Sequence, residues 1–346
     1  MDRTHYRFEL KKLEDTASSL PNNAFVAFGL THALSLLILN WEKIMINRQL
    51  KEHPYALVSS EIKKTFDILE SIGNASIFAN AGSSFASQSH ADMEEYHKKL
   101  FQALWIKFTP EDYKKRIEQY EYRLSLNKIQ PFIKDKRCID FGCGHGNFAH
   151  ALVNLGAAYV LGIDYGEQSI QYCQNTLKLI GAKNIEFEYA SVYGTGKEGE
   201  SFDFALQNGV FHHLDDEDKA YLEVYRVLKP GGWFWIYTDG IDSIQGDIQD
   251  TCARILSKFN SSEIGVILDM MGLSVGKRYH LGDSLQATYR HTSLEDFLIR
   301  LKSYGFDNHR RLVGGYLTDS DGDAADDPWA REKFGSGDIR LLVQKI

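Results

Sequence analysis

Residues 137–146, Arg-Cys-Ile-Asp-Phe-Gly-Cys-Gly-His-Gly, constrain this chain more than any other stretch. Cys138 to Phe141 read as a short buried strand that runs into a turn with glycine at 142, 144 and 146. Glycine at alternate positions lets the backbone bend sharply and lie close to a ligand, because no Cβ intervenes. In open α/β sheets, a turn at the carboxyl end of a strand is where nucleotides bind. Twenty residues beyond Gly144, the segment Val-Leu-Gly-Ile-Asp at 160–164 gives a second strand ending in a carboxylate. At that spacing an acidic side chain can accept hydrogen bonds from a ribose.

The pattern downstream alternates strand and helix. Strands are expected near 137–141, 159–164, 185–190, 202–207, 232–238, 310–316 and 338–344, with helices near 147–155, 167–180, 216–228 and 293–304. Several of these strands are continuous apolar runs, as in a sheet covered on both faces. The reading is an α/β fold, a doubly wound and mostly parallel seven-stranded sheet, over residues 109–346. A helical insertion is expected at 240–290, and Thr292 to Glu295 fit a capping box opening the last helix. Residues 1–108 read as a separate helical region. Within it Ile62, Phe66, Leu69 and Ile72 share one helix face, residues 73–89 form a loop or lid, and 93–108 are helical again. Thr109, Pro110, Glu111 and Asp112 mark a helix start, with Thr109 as the cap.

A length of 346 residues suits one large domain with an appendage, or two domains. The net charge of −8 argues against a phosphate backbone as main partner. Cys138, Cys143, Cys173 and Cys252 form no Cys-x-x-Cys pair and read as buried thiols in a reducing, cytoplasmic setting. No signal peptide is read at the N-terminus. The apolar run 24–39 contains Thr31, His32 and Ser35 and is short for a membrane span, so a core helix is expected and no span.

Beyond the glycine turn, residues 201–214 contain a strand and a loop with His212-His213, and residues 222–236 a helix, Lys-Pro-Gly-Gly and a strand. With the segment from Thr292 to Leu312, these four stretches in order resemble the class I S-adenosylmethionine-dependent methyltransferases over about two-thirds of the chain. A nicotinamide-binding Rossmann domain is the rival; its fingerprint needs glycine at 147, where this chain has Asn147. The resemblance implies a Rossmann-like methyltransferase fold with S-adenosylmethionine as cofactor. It implies that Asp140 and the turn of Gly142, Gly144 and Gly146 hold the methionine part. Asp164 would accept from the ribose, and Tyr165 would flank the adenine. Ser191 stands where many members carry an aspartate toward the adenine amino group. Asn208 would lie near the methionine amino group, and Arg123 would meet the methionine carboxylate.

The reaction implied is an in-line displacement at a sulfonium methyl, in which the protein supplies position and electrostatics. For an O–H or N–H acceptor a nearby base can take the proton; His212 and His213 are the first candidates and Asp239, just past the fifth strand, is another. No metal site is expected: adjacent histidines are a poor ligand pair, and residues 319–323 depart from a calcium loop. DNA-type acceptor motifs are missing after the fourth strand. A small-molecule acceptor is therefore favoured, held by the N-terminal region and the 240–290 insertion. A protein or peptide acceptor comes second, and a silent cofactor-binding scaffold that uses its N-terminal helices is the third reading.

Overall fold

The structure, a computed structural model, describes residues 2–75, 109–180, 182–315 and 326–346. The chain divides into two compact units. The expected helix over 93–108, the acidic loop 319–323 and the part of the expected loop beyond residue 75 lie outside the described residues.

The first unit is helical. It gathers Arg3–Ser18, Ala24–Met45 and Pro54–Ala75 with Ile244–Leu256, Ser261–Met270, Val275–Gln286 and Ala330–Phe334. These helices share one apolar core that includes Tyr6, Trp41, Ile62, Cys252 and Phe259. The helix Ala24–Met45 is long and apolar enough to cross a membrane by composition. Val26, Leu30, Leu34, Leu37, Ile38 and Trp41 from it are buried in this core. The face expected from Ile62, Leu69 and Ile72 is buried, with Phe66 packed at its edge. That helix continues through Gly73 to Ala75, where the glycine had suggested a loop.

The second unit is built on a seven-stranded sheet of order β3-β2-β1-β4-β5-β7-β6. The strands are β1 Arg137–Phe141, β2 Tyr159–Asp164, β3 Ile185–Tyr189, β4 Phe202–Asn208, β5 Leu228–Asp239, β6 Phe306–Arg311 and β7 Asp338–Lys345. Strands β1 to β5 are parallel, and β7 runs antiparallel to both β5 and β6. The winding leaves β1 toward β2 and β3 on one side and resumes with β4 on the other. The adjacent carboxyl ends of β1 and β4 thus form the switch point at which such sheets bind ligands. Apolar layers cover both faces: Cys138, Phe148, Phe204 and Trp235 lie in one, and Ile139, Phe141, Phe234 and Phe297 in the other.

Three boundaries differ from expectation. β6 begins at Phe306, directly after Gly305 at φ 94°, and ends before the apolar Leu312-Val313 that drew the expected strand to 310–316. It is an edge strand whose middle residues Asp307, Asn308, His309 and Arg310 are exposed, so it carries no apolar pattern. β5 starts at Leu228, before the expected 232: the Lys-Pro-Gly-Gly stretch is absorbed as an irregularity in the ladder between Phe202 and Phe204 of β4. The helix Leu294–Ser303 is capped by Ser293, whose hydroxyl accepts from the Asp296 N–H, one residue later than the Thr292 box predicted.

The helix Pro110–Leu126 opens as expected. Thr109 Oγ1 accepts from the Asp112 N–H at 3.1 Å, and the Asp112 carboxylate accepts from the Thr109 N–H at 3.3 Å. Thr109→Ala should cost about 1 kcal/mol of stability, the usual value of an N-cap. An unchanged denaturation midpoint would show that the box is dispensable.

Candidate cofactor and acceptor site

The glycine turn closes around the end of β2. The N–H groups of Gly142 and Cys143 both donate to the Ile163 carbonyl, at 2.8 and 2.9 Å. Asp164 then clamps the turn: Oδ2 accepts from the Gly144 N–H at 2.9 Å and Oδ1 from the Gly166 N–H at 2.7 Å. The spacing read from the sequence therefore joins the carboxylate and the turn directly. The helix Pro110–Leu126 braces the turn from outside, through Tyr113 Oη to the His145 carbonyl at 2.9 Å and Asn147 Nδ2 to the Tyr113 carbonyl at 3.3 Å.

The three glycines differ in purpose. All have positive φ, but a Cβ on Gly142 would strike Val210 and one on Gly146 would strike the Phe187 ring. A Cβ on Gly144 would meet nothing within 4 Å among the described residues. Of the three, Gly144 is the one with space beside it for a ligand to approach.

Two buried acceptor atoms beside this turn have no hydrogen-bond partner among the described residues, Asp140 Oδ2 at the end of β1 and Asn208 Oδ1 at the end of β4. Burial, then the neighbouring Asp164, pushes the Asp140 carboxyl up to about 8, partly offset by the Ala149 N–H. A ligand bringing N–H donors and positive charge would satisfy both atoms and relieve the burial of Asp140. Tyr165, 45% exposed, stacks on Tyr189 with centroids 5.2 Å apart, which sets two aromatic faces after β2 and β3. Ser191 Oγ accepts from the Tyr193 N–H at 3.2 Å and so braces the turn after β3. Arg123 lies about 15 Å further along the same helix than Tyr113. Its Nε donates to the Gly314 carbonyl at 3.0 Å, and it lies over the Tyr120 ring.

The loop after β4 forms the second half of the site. Gln207 fixes it: Nε2 donates to the Tyr237 carbonyl at 2.9 Å, and Oε1 accepts from the Val210 N–H at 3.1 Å. The single turn Phe211–His213 brings the two imidazoles together, with 3.0 Å between their Nε2 atoms. One ring must donate and the other accept, so the pair holds one proton between those nitrogens. On its other side, His212 Nδ1 lies 3.6 Å from Asp239 Oδ2 and 3.5 Å from Thr238 Oγ1. Burial, with His291 nearby, pulls His212 down to about 3, which keeps it neutral at ordinary pH. Burial and then Asp338 push Asp239 up to about 6. A carboxylate that takes a proton near neutrality, lined up with a neutral imidazole pair, is suited to receive a proton from an acceptor.

His145 and His150, under the turn, are both drawn down to about 4 by burial and serve packing, His145 stacked on Tyr172. Sequence reasoning missed Tyr189, Tyr237, Asp338, Arg340 and His291. Tyr237 was recoverable, since it sits two residues before Asp239 on the same face of β5 and donates to it at 3.1 Å.

Together the switch-point crevice, the clamped glycine turn and the carboxylate after β2 define a nucleotide-type cofactor site on a Rossmann-like sheet. Residues 133–264 match the family described as a methyltransferase domain. A ubiquinone biosynthesis O-methyltransferase from Neisseria meningitidis serogroup C is 31% identical over 31% of this chain and 45% of its own length. A tRNA U34 carboxymethyltransferase from Desulfotalea psychrophila is 32% identical over 35% of this chain and 38% of its own. A solved S-adenosylmethionine-dependent methyltransferase from Thermotoga maritima aligns at 16% identity over 72% of this chain and 99% of that one, with a TM-score of 0.43. The chain spans less than half the length of these curated relatives. Over residues 133–264 the chain is therefore similar to methyltransferases.

S-adenosylmethionine fits the residues present: a cationic amino group suits Asp140 and Asn208, and a ribose suits Asp164. Asp164→Ala should weaken its binding by more than about tenfold, the value of a charge-assisted hydrogen bond or two. Calorimetry that finds unchanged affinity would remove the ribose assignment.

Proposed function

We propose that this chain transfers the methyl group of S-adenosylmethionine to an oxygen or nitrogen atom of a small-molecule acceptor. One observation carries the reading. Asp140 Oδ2 and Asn208 Oδ1, without partners among the described residues, lie at the carboxyl ends of β1 and β4; the loops that follow supply the clamped glycine turn and the pair His212 and His213, and His212 faces Asp239 at the end of β5. The bound cofactor supplies an activated methyl group on a sulfonium centre.

The chain's own residues do the rest. Asp164 and the glycine turn fix the cofactor's ribose end, and Asp140 with Asn208 orient its amino end. His213 and His212 conduct the proton that the acceptor loses, and Asp239 receives it. Positioning two reactants in line is itself a large part of such a rate enhancement.

A small molecule is favoured as acceptor by the net charge of −8, which disfavours a phosphate backbone, and by the O-methyltransferase relative of ubiquinone biosynthesis. The test is transfer of labelled methyl from the cofactor into cell extract separated into small-molecule, protein and nucleic-acid fractions. Label in the small-molecule fraction is expected. Label confined to protein or to RNA would replace this acceptor class, and no label with intact cofactor binding would leave a silent scaffold.

A further inference from the structure

β7 returns antiparallel along β5 and sets Asp338 directly opposite Asp239, and Arg340 directly opposite Tyr237. Alternate residues of a strand share a face, so these four side chains form a square on one side of the sheet. Its edges are bonded: Tyr237 Oη donates to Asp239 Oδ1 at 3.1 Å, Arg340 Nη2 donates to Asp338 Oδ2 at 2.8 Å, and the Arg340 guanidinium lies 4.4 Å from the Tyr237 ring centroid. The backbone beyond pins the corner. The Gly240 N–H donates to the Gly337 carbonyl at 2.8 Å, and a Cβ on Gly240 would lie 2.3 Å from that oxygen. No other residue allows the two strands to meet this closely, so the facing of the two aspartates is fixed by the fold.

Among the described residues, the charged and titratable groups around Asp239 come from four elements. His212 approaches from the turn after β4, Tyr237 from β5, Asp338 and Arg340 from β7, and His291 from the segment before the helix Leu294–Ser303. Arg340 bonds to Asp338, so the two carboxylates are unequally placed.

We propose that Asp338 is a positioning residue for the proton transfer, acting through Asp239: the strand register holds its charge opposite Asp239, where it favours the proton on Asp239, and Arg340 fixes the Asp338 carboxylate in that place. This rests on the methyl-transfer reading above for its role in turnover, but the influence of Asp338 on Asp239 does not. Removing the charge of Asp338 takes away the second-largest influence on Asp239 and leaves the larger one, burial. The effect is therefore partial, and its sign is fixed. A like charge raises a carboxyl's proton affinity, so Asp338→Asn lowers it.

Two measurements separate the possibilities. Infrared titration of the protein alone should show a carboxylic-acid band lost with a midpoint near about 6, absent in Asp239→Asn. In Asp338→Asn the midpoint should fall by about one pH unit, the scale of one neighbouring charge. In Asp338→Glu it should return toward the parent value. The acid limb of kcat/KM should move with it, since the base works only when ionised: activity rises with pH through this midpoint and persists to lower pH in Asp338→Asn. Asp338→Ser replaces Asp338→Asn if the latter does not fold. A parent protein with no such band, or an Asp338→Asn midpoint equal to the parent's, overturns the proposal. A band that shifts as described in a protein that moves no methyl group overturns the methyl-transfer reading and leaves the pair standing.

Discussion

Replacing His212 and His213 together with alanine is expected to slow turnover about a hundredfold, the lower range for loss of a general base. Affinity for S-adenosylmethionine should stay within about twofold, as for a site with no shared partners. The two outcomes separate because the imidazoles and the ribose-side clamp hang from different anchors. The histidines depend on the turn Phe211–His213, held by Gln207, while Asp164 holds the glycine turn from β2. His212 is 2% exposed, so its truncation also leaves a cavity. His213→Ala, at a half-buried position, is therefore the cleaner single variant, and thermal melting of each variant tells lost chemistry from lost structure. Because burial keeps His212 neutral down to about pH 3, its own titration does not shape the pH profile near neutrality. The profile should follow Asp239 near about 6 instead. Full activity in the double variant would remove the histidine pair from the proton path.

The parts of this site legible in the sequence are those whose chemistry is local. The glycine turn, the carboxylate twenty residues on and the histidine pair are each short motifs. Their order along a βαβ pattern is enough to put them at one edge of a parallel sheet. The square around Asp239 was hidden for a different reason. Asp338 and Arg340 reach β5 only because β7 turns back antiparallel, pairing residues about a hundred positions apart, and nothing in either segment announces that partner. β6 was displaced in the reading because an edge strand with exposed Asp307, Asn308, His309 and Arg310 has no buried face to impose a pattern, while the apolar Leu312 beyond it mimics one. Arg123 was named from the resemblance alone, as a partner of the methionine carboxylate; the structure adds that its Nε donates to the Gly314 carbonyl.

The glycine turn was read as room for a ligand, and the structure divides that role. Gly146, at φ 76°, precedes the helix Asn147–Asn154, and a Cβ there would lie 2.3 and 2.6 Å from atoms of the Phe187 ring. Phe187 is buried in the core between β3 and the turn and has little freedom to retreat. Gly146→Ala should therefore combine a left-handed backbone penalty of about 1 kcal/mol with an overpacking penalty of about 1–3 kcal/mol. That is a large share of the stability of any domain. Gly144 has a positive φ of 52° but open space where its Cβ would go. Gly144→Ala should cost only the backbone penalty of about 1 kcal/mol, yet lose cofactor affinity, because the new methyl group occupies the approach that the ligand uses. The distinguishing variant is Gly146→Ala with Phe187→Leu, which removes the ring that the methyl group strikes. It should recover part of the lost stability, whereas the same Phe187→Leu change should do nothing for Gly144→Ala. Equal destabilisation by the two alanines, or no recovery in the double variant, would mean that the three glycines serve backbone geometry alone and that Gly144 marks no ligand path.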